Sequence, residues 1–160
     1  MESYNIDWEL KPRVVHELLQ GNAVMFPESI SNETNSLLQI EPSRMVVVDL
    51  RDAADFEKSH IPGSISLDVD AKALPNPYQD PSTLVNLFKL LDKRLAAADP
   101  VLGALLDGKV VFTLSYKGHV ARLAMAILRN RKVQAHCVVG GFDAWMKSGL
   151  WEESCGLAFA

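Results

Sequence analysis

Val110-Val111-Phe112-Thr113-Leu114 runs directly into Ser115-Tyr116-Lys117-Gly118-His119-Val120. The first five residues are apolar or β-branched, which is the pattern of a strand covered on both faces. Apolar residues at helical spacing after Gly118 predict a helix over residues 119–130. A strand–loop–helix turn of this kind points successive backbone N–H groups into one concavity above a helix N-terminus, which favours a bound anion. Residues 115–120 are therefore predicted to form an anion- or partner-binding loop.

The side chains of this loop suggest binding more than reaction. A hydroxyl at Ser115 stays protonated near neutral pH unless a base lies beside it, whereas a cysteine there would supply a thiolate. The simplest interpretation of Ser115 is a small polar residue that satisfies backbone groups at the start of the loop. The residues predicted to bind an anion or a partner are Ser115, Tyr116, Lys117, Gly118, His119 and Val120.

Outside the loop, strands and helices are predicted in alternation. Further strands are expected over residues 45–50, 65–67 and 135–139, and helices over residues 11–20, 53–58 and 142–147. A long amphipathic helix is expected to be capped by Ser82 and to end before Asp99-Pro100. The alternation predicts an α/β fold with a mainly parallel central sheet and helices on both faces.

The length of 160 residues and the hydrophobic content of 48% predict one domain over residues 1–160, with a core over about 11–151. Ser, Asn, Glu and Pro dominate residues 27–43, which are predicted to be an irregular surface insert. Prolines predict a second loop over residues 73–81.

The charge and the cysteine content exclude several classes of partner. A net charge of -4 with a pI near 5.5 argues against nucleic acid and anionic membrane surfaces as primary ligands. Two cysteines, Cys137 and Cys155, are too few for a secreted disulfide framework. Acidic residues near the N-terminus argue against a leader peptide. We therefore expect an intracellular, cytoplasmic protein, and the sequence indicates no cofactor and no metal site.

Three segments in order resemble the rhodanese-like (sulfurtransferase homology) family. Residues 47–51, continuing to the His60-Ile61-Pro62-Gly63-Ser64 turn, resemble the opening strand and the turn of the family. Residues 115–120 resemble its active-site loop, and residues 138–145 resemble its glycine-glycine-aromatic closing stretch ending in Trp145. The resemblance spans roughly residues 14–151 and implies the α/β fold described above.

Two chemical positions of the loop differ from active members of the family, which resemble C-x-x-G-x-R-S there. Ser115 stands at the cysteine position and Val120 at the arginine position, whereas Gly118 is retained. Arg122 lies two residues further on, which rotates a helical side chain by about 200° away from that place. Cys137 falls within the last predicted strand and is expected to be a core residue. The resemblance thus implies no intrinsic sulfurtransferase activity.

The resemblance leaves a regulatory or interaction module as the favoured function, free-standing or fused to another domain, with a protein partner or a small anion as its ligand. One alternative is a sulfurtransferase-type function with sulfur carried by a partner thiol. A less favoured alternative is a non-cysteine hydrolase or phosphatase, with Ser115 as nucleophile and His119 as base. Arg51 is a possible contact of the cavity, although an ion pair with Asp49 or Asp55 is favoured, and His60 is expected to serve the turn.

Overall fold

The computed structural model describes residues 6–26, 36–73 and 81–150. Its central sheet has five parallel strands in the order β1-β7-β6-β4-β5, and β2 and β3 form a separate antiparallel pair. The strands are β1 (Glu9–Leu10), β2 (Val24–Phe26), β3 (Ser36–Leu38), β4 (Met45–Asp49), β5 (Ile65–Ser66), β6 (Val110–Leu114) and β7 (Gln134–Val138). The helices are α1 (Pro12–Leu19), α2 (Ala53–Lys58), α3 (Pro81–Leu106), α4 (His119–Asn130) and α5 (Gly141–Lys147).

Alternation along the strands gives the sheet two apolar faces. Val46, Val48 and Val111 belong to a core cluster that also includes residues of α3 and α4. Val47 and Phe112 belong to a second cluster, which α1 and Trp145 of α5 complete. Because successive side chains of a strand point to opposite faces, a continuous apolar run serves both clusters. The parallel α/β sheet with helices on both faces is therefore confirmed.

The ladder β4–β6–β7 brings three strand ends to one edge of the sheet. Val47 pairs with Phe112, and Phe112 pairs with His136. Since all three strands are parallel, their carboxyl ends lead into Arg51, Ser115 and Gly140 on the same side. This is the edge where open parallel sheets place their ligands.

The long helix α3 corrects the prediction that it ends before Asp99-Pro100, because it continues through Pro100 to Leu106. A proline inside a helix removes one hydrogen bond and costs about 3 kcal/mol. Buried leucines on both sides of Pro100 offset that cost, at Leu91, Leu95, Leu102 and Leu106. Ser82 is also not a cap, since Pro81 is the first helical residue, a position that suits proline.

Short strands are the other difference from the sequence-based prediction. The irregular segment expected over residues 27–43 contains β3, which pairs with β2, and a 3-10 turn at Pro42–Arg44. Residues 27–35 of that segment lie outside the described residues, as do residues 74–80 of the predicted proline-rich loop. Strand β1, also unpredicted, joins the sheet edge beside β7, where Glu9 forms an ion pair with Arg122 at 2.7 Å.

None of the helices in the described ranges combines the length and the apolar composition that crossing a membrane requires.

A buried charge in the sheet tests this architecture. Val111 has no exposed surface, so Val111→Asp would bury an unpaired carboxylate and should destabilise the fold by more than about 4 kcal/mol. Val101, on the exposed side of α3, provides the control, because Val101→Asp leaves its carboxylate in solvent. We expect the first variant to be insoluble and the second to melt like the unmodified protein. A soluble Val111→Asp variant with a cooperative urea transition would contradict the sheet assignment.

Candidate functional site

The loop after β6 is organised around the hydroxyl of Ser115. This side chain is 2% exposed, and its Oγ accepts hydrogen bonds from the backbone N–H groups of Gly118, at 3.1 Å, and Ala121, at 3.2 Å. Gly118 precedes the first residue of α4 and has a φ of 101°, a left-handed conformation that favours glycine. Two N–H groups at the start of α4 are thus satisfied by Ser115 from outside the helix, as in an N-cap.

The remaining hydrogen-bonding capacity of Ser115 is a donor. A serine hydroxyl has two acceptor lone pairs and one O–H. Because the two N–H groups occupy both lone pairs, the O–H is left to donate. No residue in the described ranges accepts it. The hydroxyl of Ser115 is therefore free to donate one further hydrogen bond.

The glycine turn before α5 holds the loop from the other side. The N–H of Phe142 donates to the carbonyl of Ser115 at 2.8 Å, and the N–H of Asp143 donates to the carbonyl of Tyr116 at 3.0 Å. In a trans peptide the C=O and the following N–H point in opposite directions. With these carbonyls directed at α5, the N–H groups of Tyr116 and Lys117 point away from it.

Gly141 makes this close approach of the two segments possible. A Cβ at Gly141 would lie 2.4 Å from the carbonyl oxygen of Ser115 and 2.8 Å from that of Tyr116, and the φ of 64° is left-handed. A Cβ at Gly118 would lie 3.1 Å from the backbone nitrogen of Gly140. Both glycines therefore permit backbone-to-backbone packing between the loop and the turn.

A cavity of about 170 Å³ opens beside the loop. It is lined by Ala71, Ser115, Tyr116, Lys117, His119 and Val120. Lys117 is exposed, and α4 begins at His119, so a cationic side chain and the positive end of a helix dipole meet at this cavity. The structure thus brings together five of the six predicted loop residues around one space, with Gly118 buried against the glycine turn.

Tyr116 fastens the loop to α2 through a cluster that the sequence did not predict. Its hydroxyl donates to the carboxylate of Asp55 and accepts the backbone N–H of Asp52 at 3.1 Å. Lys72 forms an ion pair with Asp55 at 3.0 Å and lies over the ring of Tyr116, 5.5 Å from its centroid. The carboxylate beside the cavity is therefore offset by a lysine and is not a free negative charge.

The cluster shifts the pKa of each member in the direction its contacts require. Burial, and then the hydrogen bond to Asp55, raise the pKa of Tyr116 to about 12. The hydrogen bonds from Tyr116 and Lys72 lower the pKa of Asp55, and contact with Asp55 raises the pKa of Lys72. At neutral pH Tyr116 is thus a neutral donor, Asp55 an anion and Lys72 a cation.

Arg51 lies outside the residues that line the cavity. Its guanidinium forms a buried ion pair with Asp49, with Nη2 2.8 Å from Oδ2, and also donates to the carbonyl of Ser59 at 2.7 Å. It stacks on the ring of Phe142, 3.7 Å from the centroid. Arg51 therefore connects the end of β4, the turn after α2 and the start of α5.

His60 and Cys137 make contacts that serve the fold and do not line the cavity. His60 stacks on Phe56, with ring centroids 4.0 Å apart, and its Nδ1 lies 2.8 Å from the carbonyl oxygen of the same residue. Cys137 is buried in β7, and burial raises the pKa of its thiol to about 11. A thiol of this kind is largely un-ionised at neutral pH and is a poor nucleophile. Across the described ranges, no group of three or more His, Cys, Asp and Glu side chains is arranged to hold a metal ion.

The chain is similar to a known family in sequence and to solved structures in fold. Residues 32–148 match the family model of the rhodanese-like domain. No curated protein matches the sequence of the chain.

Solved structures that superpose with a TM-score above 0.5 share the fold. The N-terminal domain of a Clostridium difficile protein superposes with a TM-score of 0.54 at 16% identity, covering 67% of this chain and 90% of that one. The rhodanese-like domain of an Anabaena protein gives a TM-score of 0.51 at 14% identity, covering 89% of this chain and 76% of that one. A Bacillus halodurans protein gives 0.45 at 21% identity, covering 66% of this chain, which spans 61% of that protein. Identities this low show the fold alone.

The contact at Gly141 gives a test of the loop geometry. Gly141→Ala would force a Cβ against the carbonyl of Ser115 and should destabilise the protein by about 3 kcal/mol or more. Gly149 is the matched control, because its φ of 74° is equally left-handed but a Cβ there meets nothing within 4 Å. Gly149→Ala should cost only the conformational penalty of about 1 kcal/mol. Equal losses in urea denaturation of the two variants would show that the loop and the turn are not packed as described.

Proposed function

The chain belongs to the rhodanese-like domain family, and we propose that it is a member without intrinsic sulfur-transfer activity whose loop binds a hydrogen-bond acceptor carried by a partner. The observation that carries this proposal is the hydrogen bonding of the Ser115 hydroxyl. Its oxygen accepts hydrogen bonds from two backbone N–H groups, its O–H has no acceptor among the described residues, and Ser115 is one of the residues that line the cavity. The site offers donors and a positive charge, and a carboxylate, a sulfate or a phosphoryl group complements both.

Sulfur transfer by this loop would require a group that it lacks. A sulfane sulfur is carried as a persulfide on a cysteine thiolate, and the hydroxyl of Ser115 cannot form that bond. The thiol of Cys137 lies within β7, with a pKa of about 11. A sulfur-transfer role would thus depend on a thiol supplied by a partner, for which this loop would be the docking surface.

Hydrolysis with Ser115 as nucleophile has little support in the geometry. An activated serine donates its proton to a base, commonly an imidazole. The hydrogen bonds made by Ser115 come from the backbone N–H groups of Gly118 and Ala121. These bonds orient the hydroxyl but remove no proton from it. The arrangement therefore favours recognition of a ligand over attack on one.

We expect the loop to bind an acceptor group on a partner protein more tightly than a free ion. The cavity of about 170 Å³ admits a small oxyanion, but backbone N–H groups, one hydroxyl and one exposed lysine give such an ion few contacts. We expect dissociation constants for free sulfate on the order of a millimolar or weaker. A partner that inserts a carboxylate or phosphoryl side chain would add the contacts of the surrounding surface and bind more tightly.

The sulfate titration tests the donor character of the loop. Adding sodium sulfate should shift the amide NMR signals of residues 116–119, beyond the shifts caused by sodium chloride at the same ionic strength. Lys117→Glu should weaken this binding about tenfold or more while leaving the melting temperature nearly unchanged, because Lys117 is exposed. Lys132→Glu is the control, since that lysine is also exposed but follows the far end of α4. The absence of shifts in the unmodified protein, or equal weakening by both variants, would contradict an acceptor-binding loop.

Placing a thiol in the loop tests the backbone cradle independently. The unmodified protein should show no thiosulfate sulfurtransferase turnover. In Ser115→Cys the sulfur would lie against the N–H groups of Gly118 and Ala121, which should lower its pKa below the value of about 8.5 for a free thiol. Ser66→Cys introduces an exposed thiol as the control. The measurement is the ultraviolet absorbance of the thiolate against pH, and equal pKa values in the two variants would contradict the cradle.

A further inference from the structure

An apolar groove lies between the first turns of α3 and helix α4. Its lining consists of Leu84, Val85, Phe88, Lys89 and Leu123, and its volume is about 440 Å³. Leu84 is 43% exposed and Val85 is 52% exposed, whereas Phe88 and Leu123 are half-buried and pack against the core. A cluster of exposed apolar side chains on one surface is typical of a protein interaction site. We call these five residues the α3–α4 groove.

The α3–α4 groove adjoins the loop cavity. Val120 lines the cavity and Leu123 lines the groove, and both are on α4. Residues three apart on a helix are neighbours on its surface, with Cβ atoms about 5–6 Å apart. Both side chains also pack against the same core cluster as Phe88. One ligand of modest length can therefore contact the cavity and the groove together.

The charged side chains among the described residues that line the groove and the cavity are lysines. Lys89 lines the groove and Lys117 lines the cavity, and among the described residues no carboxylate lines either. Neither lysine forms an ion pair with any residue in the described part of the chain. Asp92, one turn beyond Lys89 on α3, is held by Arg131 at 2.8 Å. In a chain with a net charge of -4, two lysines without an ion-pair partner in the described ranges, beside exposed apolar side chains, favour an acidic occupant.

We propose that the α3–α4 groove docks an amphipathic, acidic segment of a partner protein, with its apolar side chains in the groove and one carboxylate in the loop cavity. This inference rests on the proposed function, because it assigns a partner chemistry to the same loop. Leu84, Val85 and Phe88 bind the apolar side chains of the segment, and Lys89 pairs with a carboxylate beside them. Ser115 and Lys117 bind the carboxylate that enters the loop cavity.

Two synthetic peptides test the proposal on the intact protein. One is a short amphipathic peptide of leucine and glutamate, and the other has lysine in place of each glutamate. The acidic peptide should shift the amide signals of residues 84–89 and 123 together with those of residues 116–119, and the basic peptide should bind at least about tenfold more weakly. Val85→Ser and Lys89→Glu should each weaken the acidic peptide about threefold to tenfold. Val101→Ser is the matched control, because Val101 is an exposed valine on the same helix, about 24 Å further along.

Each other outcome overturns the proposal in a recognisable way. If sulfate shifts the loop signals but the acidic peptide does not bind, the groove assignment is wrong and the proposed function stands. Equal binding of the two peptides would show an apolar surface without charge selection, and shifts confined to the groove would remove the carboxylate from the cavity. If sedimentation shows a dimer that Val85→Ser dissociates and Val101→Ser does not, the occupant is a second copy of this chain.

Discussion

The contact between the glycine turn and the loop fixes the conformation on which the site depends. The N–H groups of Phe142 and Asp143 take up the carbonyls of Ser115 and Tyr116, so the intervening peptide planes cannot rotate. The N–H groups point from the opposite edges of these peptide planes, and the Ser115 hydroxyl binds an N–H group in the first turn of α4. Only a glycine at position 141 allows the two backbones to approach this closely. The site is therefore built from backbone geometry, with Ser115 as the single buried side chain that completes it.

A buried ion pair holds the surroundings of this contact in place. The side chain of Asp49 is fully buried and that of Arg51 is almost fully buried. A buried ion pair contributes little net stability, but removing one partner is costly because the other charge is left unpaired. The guanidinium also binds the carbonyl of Ser59 and covers the ring of Phe142. It thereby joins the end of β4, the turn after α2 and the start of α5, which carries the N–H groups that bind the loop. On the other side, Tyr116 ties the loop to α2 through Asp55.

The sequence predicted the elements whose signals are local and missed the contacts that join distant segments. β-Branched runs and helical periodicity placed β6 and α4 at their observed bounds, because buried strands and amphipathic helices leave strong patterns. Proline at position 100 predicts the end of α3, but the helix continues because buried leucines on both sides hold it against the core. Strands of two or three residues, such as β1, are too short to show an alternating hydrophobic pattern in the sequence. The contact of Tyr116 with Asp55 spans 61 residues, and the engagement of both lone pairs of Ser115 follows from three-dimensional geometry alone.

The identity of the residue at position 115 decides what this scaffold can do. Two N–H groups and a helix N-terminus would stabilise a thiolate there, since a negative charge gains from every donor. The same donors act differently on a neutral hydroxyl, because they fill its lone pairs and leave its proton as the group with which it can bind a ligand. The positive end of α4 can then attract a negatively charged group from solvent, because position 115 carries no negative charge of its own. In the function that we propose, this loop geometry suits an external acceptor, and the lysine-bordered groove beside Leu123 would extend the surface available to the molecule that carries it.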